Sequence, residues 1–128
     1  MSLKLEVVTP LGRKLEVMTE QVTAPGVVGE FGVLEGHRPG VVLLGGGLLR
    51  YDNGGVLAIR GGVAEISATG VIILADDAQV VDKGEAKRAE AIRLSAEAQL
   101  ASAEYLSDAA LQQALTDLRY ASALVGGP

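Results

Sequence analysis

The feature that most constrains this sequence is a change in residue preference near Asp82. Residues 1–82 contain 22 Val, Ile and Thr residues and 6 Ala residues. Residues 83–128 contain 3 Val, Ile and Thr residues and 12 Ala residues. Branched side chains lose rotamer freedom in helices and fit pleated sheets, while Ala favours helices. We therefore predict an α+β fold, with a β domain over residues 1–82 and a helical domain over residues 83–128.

The first part contains short apolar segments separated by turn signals. Residues 3–7 alternate apolar and charged side chains, and Asn53-Gly54 and Thr69-Gly70 each lie between two apolar runs. An Asn-Gly pair tolerates the positive φ that a tight hairpin requires. Short and frequent strands of this kind predict an N-terminal antiparallel β-sandwich.

The second part predicts a C-terminal antiparallel two-helix hairpin. The first helix is expected over residues 83–101, with Asp82 as its N-cap and Glu85 as the partner in a capping box. The second is expected over residues 108–124, with Ser107 as its N-cap. Its apolar positions share one helical stripe: Leu111, Ala114, Leu115, Leu118, Ala121 and Val125.

Composition excludes several classes of function. The chain has no Cys, which excludes thiol nucleophiles and thiolate zinc sites. Its one His is accompanied neither by the Gly-x-Ser-x-Gly motif of a hydrolase nor by the further ligands of a His-based metal site, so we assign no catalytic or metal-binding residue and no cofactor. A net charge of -5 without a basic cluster argues against nucleic-acid binding. No run of about 18 apolar residues is present, so we expect no direct membrane insertion.

Three motifs with a possible chemical role have simpler interpretations. The three glycines at residues 45–47 lack the Lys of a phosphate loop and are interpreted as a flexible turn between strands. Asp76 and Asp77 are adjacent and would point to opposite faces of a strand, so we interpret them as solvated acids at its end. His37 is interpreted as a polar loop residue.

Several segments together resemble one family. Residues 29–39 (GEFGVLEGHRP) resemble the G-E-(F/L)-G-(I/V)-L-x-G-H-x-P signature of the epsilon subunit of bacterial F-type ATP synthases. Residues 22–26 resemble its V-x-A-P-G segment, residues 61–66 its G-G-x-x-E-V segment, and residues 71–78 its V-T-V-L-A-D-x-A segment. The segments occur in the family's order and cover nearly the whole chain.

This resemblance implies a β-sandwich followed by a helical hairpin, and a non-catalytic subunit of the central stalk, or rotor. It implies binding to the gamma subunit and to the c-ring, peripheral to the cytoplasmic face of the bacterial inner membrane, with protons or sodium as the coupling ion. In the family the loop matching residues 30–32 faces the c-ring. Glu30, Phe31, Gly32 and His37 are therefore our candidates for rotor contacts.

In the family the hairpin is regulatory, and some bacterial members bind ATP there through an (I/L)-D-x-x-R-A motif. The matching residues 84–89 keep Arg88, while Glu85 replaces the Asp. Ser95, Gln113 and Asp117 stand where ATP-binding members carry arginine. Because phosphate recognition requires converging cations, we expect no tight ATP binding, and Glu85 and Arg88 are the remaining candidate nucleotide contacts.

The resemblance also implies that an extended hairpin reaches the alpha/beta catalytic head and inhibits ATP hydrolysis. Basic residues of the second helix carry that inhibition in the family, but residues 104–128 hold three acids against Arg119 alone. We therefore predict weak or absent inhibition of this kind. In addition, Gly46 stands where the family usually has Pro, which predicts a more flexible loop.

Two other functions compete with the rotor subunit. The first is a nucleotide-sensing module in which ATP binding at the hairpin is the main activity. The second is an unrelated sandwich that binds carbohydrate. Such surfaces rely on exposed aromatic side chains, and this chain has one Phe, three Tyr and no Trp, which argues against it.

Overall fold

The computed structural model describes residues 2–52, 54–102 and 106–126. Eight strands precede two helices, and one turn of 3₁₀ helix at Lys83–Glu85 lies between them. The strands are β1 (Leu3–Thr9), β2 (Gly12–Thr19), β3 (Gln21–Gly26), β4 (Gly29–Leu34), β5 (Gly40–Tyr51), β6 (Gly55–Ile66), β7 (Gly70–Ala75) and β8 (Ala78–Val80). The helices are α1 (Ala86–Ala101) and α2 (Asp108–Leu124).

The strands are hydrogen-bonded in one continuous sheet in the order β2-β1-β7-β6-β5-β3-β4, and β8 pairs with β6. Every pairing among the described strands is antiparallel except that of β1 with β7, which is parallel. The predicted class, an antiparallel sandwich followed by two helices, is confirmed with this one parallel pair. The predicted hairpin at Thr69-Gly70 is also present, closed by a bond from the Ser67 amide to the Gly70 carbonyl. Asn53 lies outside the described residues.

The two longest strands belong to both layers of the sandwich. Residues 40–44 of β5 pair with residues 62–66 of β6, which in turn pair with β7. Residues 46–51 of β5 pair with residues 55–60 of β6, next to β3 and β8. Between these halves Gly61 and Gly62 have φ of +71° and +118°, which L side chains rarely adopt, so glycine allows the strand to bend there.

The prediction of a flexible turn at residues 45–47 is wrong, because all three glycines lie within β5. Gly45 and Gly46 are both buried, Gly45 against residues 26 and 27 and Gly46 beneath helix α2. A Cβ on Gly46 would overlap the carbonyl oxygen of Thr116 and lie 2.9 Å from the amide nitrogen of Tyr120. The missing side chain therefore lets the backbone of α2 pack directly on the strand, and the expected flexible loop is a packing surface.

The sandwich encloses an aliphatic core between its layers. Alternate residues of β1 point inward, and they meet side chains of β7 from the same layer and of β3, β5 and β6 from the other. The fully buried members include Leu3, Leu5, Val7, Val22, Leu49, Ile59, Val71 and Ile73. Burial of these side chains supplies the main stabilisation of a sandwich without Trp.

The helix caps agree in part with the sequence. The Asp82 carboxylate accepts a bond of 2.8 Å from the Gly84 amide, and the Ser107 hydroxyl accepts one of 3.1 Å from the Ala110 amide, so both predicted N-caps are confirmed. The first helix begins with the 3₁₀ turn, and α1 itself starts at Ala86. The capping box is wrong, because the Asp82 amide donates to the Leu124 carbonyl at 2.9 Å rather than to Glu85.

The second helix buries two faces rather than the single predicted stripe. Ala114 and Ala121 are buried as expected. Thr116, Tyr120 and Leu124 are also buried, and none of them belongs to the predicted stripe. The reason is that α2 lies between α1 on one side and strands β5 and β6 on the other.

Candidate functional site

A single carboxylate joins the sandwich to both helices. Asp77, between β7 and β8, accepts a bond of 2.8 Å from the Tyr120 hydroxyl of α2 and one of 2.6 Å from Nη2 of Arg88 on α1. Its other oxygen accepts a bond of 3.1 Å from the Gln79 amide. We call Asp77, Arg88 and Tyr120, together with Arg60 and Asp117, the junction cluster.

In the remaining pair of the junction cluster the roles are reversed: the sandwich supplies the cation and the hairpin supplies the carboxylate. Nε of Arg60 on the sandwich donates to Asp117 of α2 at 2.8 Å, and Gln113 on the same helix donates to Asp117 at 2.8 Å. The guanidinium carbons of Arg60 and Arg88 lie 5.5 and 5.8 Å from the centroid of the Tyr120 ring, within the range of cation–π attraction. Sandwich and hairpin thus each give one carboxylate to a cation of the other.

The protonation states follow from these contacts. Burial opposes ionisation of Asp77, but hydrogen bonds from Tyr120, Arg88 and Gln79 outweigh it and lower the pKa of the carboxyl below its ordinary value. Burial and the bond to this carboxylate raise the pKa of the Tyr120 hydroxyl far above its ordinary value. Asp77 is therefore an ionised acceptor and Tyr120 a neutral donor at neutral pH.

The interpretation of Asp77 as a solvated acid is wrong, because its side chain is only 21% exposed and is fully engaged. Asp76, in contrast, is exposed. The sequence carried no local signal for the cluster, since the two helix partners of Asp77 stand 11 and 43 residues away. A strand-end acid facing a hairpin with an Arg and a Tyr on its inner side was the available clue.

The two candidate nucleotide contacts are not brought together as a phosphate site. Arg88 is committed to Asp77. Glu85 lies in the 3₁₀ turn, and its carboxylate accepts no hydrogen bond from the described residues. Arg93, one turn further along, pairs with Glu90 and Glu97 on its own helix. The arginines of α1 therefore do not converge.

The candidate rotor contacts lie on a strand and in the turn that follows it. Glu30, Phe31 and Gly32 belong to β4, an edge strand, so their expected placement in a loop is wrong. Phe31 packs against the core, while Glu30 points outward and pairs with Arg50 at 3.0 Å. His37 is exposed, and its Nδ1 donates to the Arg38 carbonyl at 2.7 Å.

A second surface, absent from the sequence prediction, is an apolar row across four strands. Val8, Leu74, Val63 and Leu43 are consecutive partners in the ladders of β1, β7, β6 and β5. They lie on the outer face of the layer, because their neighbours along each strand are the inward-facing core residues. Leu43 is 60% exposed and Leu74 is 46% exposed. We call these four residues the outer-face row.

Acidic residues border the outer-face row. Two residues away along each of the same strands there is a second line of consecutive partners on this face: Glu6, Ile72, Glu65 and Val41. Carboxylates and apolar side chains alternate along this second line. Glu6 is paired with Lys4 and Arg13 of this chain, so the negative charge that remains at the side of the apolar strip is that of Glu65. This is the pattern of a surface for an apolar partner with a basic group.

Among residues 2–52, 54–102 and 106–126, no group of three or more His, Asp or Glu side chains is placed to hold a metal ion. Neither α1 nor α2 has the length and the apolar character needed to cross a bilayer.

Comparison with known proteins decides the family. The model of the β-sandwich domain of ATP synthase delta and epsilon chains matches residues 2–81. The ATP synthase epsilon chain of Granulibacter bethesdensis is 41% identical over 125 residues, which cover 94% of this chain and 93% of that one. This chain belongs to the ATP synthase epsilon chain family. The epsilon chain of Syntrophobacter fumaroxidans, 42% identical over 127 residues, covers 93% of this chain and 95% of its own length.

Solved structures share the fold of this epsilon chain. A chain in the Euglena gracilis mitochondrial ATP synthase superposes with a TM-score of 0.68 and 23% identity, over 96% of this chain and 79% of that chain. A chain in the central stalk and c-ring structure of the Tetrahymena thermophila mitochondrial enzyme gives a TM-score of 0.55 and 17% identity, over 67% and 70%. At these identities the likeness concerns the fold.

Proposed function

We propose that this epsilon chain is a non-catalytic subunit of the rotor of a bacterial F-type ATP synthase. It binds the gamma subunit and the c-ring at the cytoplasmic face of the inner membrane and couples the ion-driven rotation of the ring to the catalytic head. Membership of the epsilon chain family supports this proposal. The observation that carries it is the outer-face row, an exposed apolar strip that suits a permanent protein partner.

The gamma subunit is the partner we assign to the outer-face row. Leu43 and Leu74 expose apolar surface on the outer face of this layer, where burial against a partner is favourable. Glu65 borders the row and has no ion pair among the described residues, so the complementary surface on gamma should combine apolar side chains with Lys or Arg. The apolar centre provides affinity, and the charged border fixes register.

We assign the c-ring contact to β4, the edge strand at the opposite end of the strand order from β2. Edge strand β4 carries Glu30, Phe31 and Gly32, and His37 follows in the next turn. The exposed side chains of Glu30 and His37 make the polar contacts, while Phe31 holds the strand to the core from behind. Polar ring loops facing such groups would set the register of the rotor more than its affinity.

Co-purification of the full chain with gamma tests the main proposal. Wild-type chain should co-purify with gamma, and the double variant Leu43→Ser/Leu74→Ser should lose most of that binding. Leu94→Ser on α1 is the matched control, since Leu94 is equally exposed but lies away from the outer-face row. If the wild-type chain does not bind gamma, the rotor proposal fails. If the wild-type chain binds and the double variant binds equally well, the assigned surface is wrong.

We further propose that the hairpin inhibits ATP hydrolysis weakly. In the extended form α2 would face the alpha/beta head, and it carries Asp108 and Asp117 against Arg119. In the docked form, moreover, Asp117 is paired with Arg60 of the sandwich. Deletion of residues 83–128 should leave the ATPase rate of the assembled complex within about twofold. A several-fold rise would contradict this.

The nucleotide-sensing alternative is less well supported, because the Arg88 guanidinium already binds Asp77. Calorimetry with Mg-ATP on the isolated chain separates the two proposals. A rotor subunit of the kind proposed should show no tight binding. Saturable binding that is lost in Arg88→Gln but kept in Arg93→Gln would favour the sensor.

A further inference from the structure

We infer that Asp77 is a built-in latch: its carboxylate holds Arg88 of α1 and Tyr120 of α2 while Asp117 holds Arg60, so the hairpin stays docked on the sandwich without a bound anion. This inference concerns the chain alone and does not require the rotor proposal. It rests on the geometry of the junction cluster and of the cleft beside it.

The cleft lies between the sandwich and the start of α1 and has a volume of about 430 Å³. Arg60 and Arg88 line it, together with Asp76, Asp77 and Gln79. A cleft with two guanidinium groups would ordinarily attract a phosphate or carboxylate ligand. Here each guanidinium already binds a carboxylate of the same chain, Arg88 that of Asp77 and Arg60 that of Asp117. An external anion would have to displace one of them.

Asp77 is the member of the cluster that holds both helices. It accepts from Arg88 on α1 and from Tyr120 on α2, so loss of its charge weakens two attachments at once. The ion pair of Arg60 with Asp117 attaches α2 alone. The hairpin also packs on the sandwich through the buried side chains of Tyr120 and Leu124, with Ala58 and Leu48 on the sandwich side. Asp77 adds to this apolar contact the hydrogen bonds that hold both helices.

The chain offers a matched pair of variants. Asp77→Asn removes the negative charge of the latch while keeping its shape. Asp76→Asn makes the same change one residue earlier, at an exposed side chain that lines the same cleft but accepts no hydrogen bond from either helix among the described residues. We expect Asp77→Asn to reduce the ratio of docked to released hairpin about tenfold, because hydrogen bonds to a charged group are lost. Asp76→Asn should leave the ratio unchanged.

The absence of native Cys makes the measurement simple. Spin labels on Val28→Cys, which is 97% exposed in the sandwich, and on Gln112→Cys, exposed on α2, report the distance between the two parts in the full chain. In the wild-type background one narrow distance is expected, and it should be the same with and without Mg-ATP or inorganic phosphate. If adding either anion narrows the wild-type distance distribution or shortens its mean distance, the inference is overturned.

Hydrogen exchange distinguishes release from unfolding. In Asp77→Asn the amides of α2 should exchange faster, while those of β1, β6 and β7 keep their protection. If the strands also lose protection, Arg88→Gln replaces Asp77→Asn, with Arg93→Gln as its control, since among the described residues Arg93 pairs only within α1. Equal distance distributions for Asp77→Asn and Asp76→Asn, or for Arg88→Gln and Arg93→Gln, would refute the latch.

Discussion

The Tyr120 hydroxyl donates a hydrogen bond of 2.8 Å to Oδ2 of Asp77, which lies 43 residues earlier in the chain. The ring of Tyr120 is buried between the hairpin and the sandwich, and its hydroxyl reaches the one carboxylate that α1 also contacts. The phenol thus combines apolar burial with a charged hydrogen bond across the junction.

Tyr120→Phe should lower the free energy of unfolding by about 1 kcal/mol, because the bond to an ionised acceptor is lost while Asp77 keeps Arg88 and Gln79 as donors. Chemical denaturation of the full chain measures the change. Tyr51→Phe is the control, since no side-chain hydrogen bond of Tyr51 is recorded among the described residues. Equal stabilities of the two variants would show that the Tyr120 hydroxyl contributes nothing.

The contribution of Asp77 to stability should depend on pH with a definite sign. Its pKa in the folded chain is lowered below the ordinary value of 3.8, so the ionised form is favoured by folding. The stability difference between wild type and Asp77→Asn should therefore be constant near neutral pH and shrink as the pH falls below about 4. Denaturation curves of both proteins from pH 3 to about pH 8 test this. A difference that grows in acid would have the wrong sign.

Gly46→Ala should displace α2 from the sheet, because its Cβ would overlap the Thr116 carbonyl. The cost is expected to be about 2 kcal/mol, as for other overpacked interiors. Gly40→Ala in the same strand is the control, since nothing lies within 4 Å of the added atom. Thermal unfolding and hydrogen exchange of α2 measure the effect. A stable Gly46→Ala variant with a protected α2 would contradict the packing argument.

The pair of Glu30 and Arg50 should matter little for stability, since both side chains are about half exposed. Glu30→Gln should change the free energy of unfolding by less than about 0.5 kcal/mol. Any loss of ATP synthesis in complexes carrying Glu30→Gln would then reflect a lost contact with the ring rather than misfolding. Arg50→Gln, which removes the other half of the pair, is the control for the pair itself.

The parts of the fold that could be predicted are those set by neighbours in sequence. The limits of α2 and the Ser107 cap followed from local residue preferences, and the turn at Thr69-Gly70 followed from the pattern around it. The alternation of β1 likewise gave its buried face. In each case residues a few positions apart decide the structure.

The parts that could not be predicted depend on contacts between distant residues. A glycine that makes room for a helix looks the same in sequence as one that makes a turn, and only the position of Thr116 shows which role Gly46 has. The partners of Asp77 and the alignment of Leu43 with Val63 and Leu74 also require the folded topology. The outer-face row could not be read from any single strand.

Strands β5 and β6 continue through the bend and form part of both layers. The half near β7 carries Leu43 and Val63, and the half near β3 and β8 supports α2 through Gly46 and Arg60. A load applied at one face therefore passes to the other along covalent backbone and paired amides, without crossing a loop. The sandwich should behave mechanically as one stiff body, in which strain at the partner surface is felt directly at the seat of the hairpin.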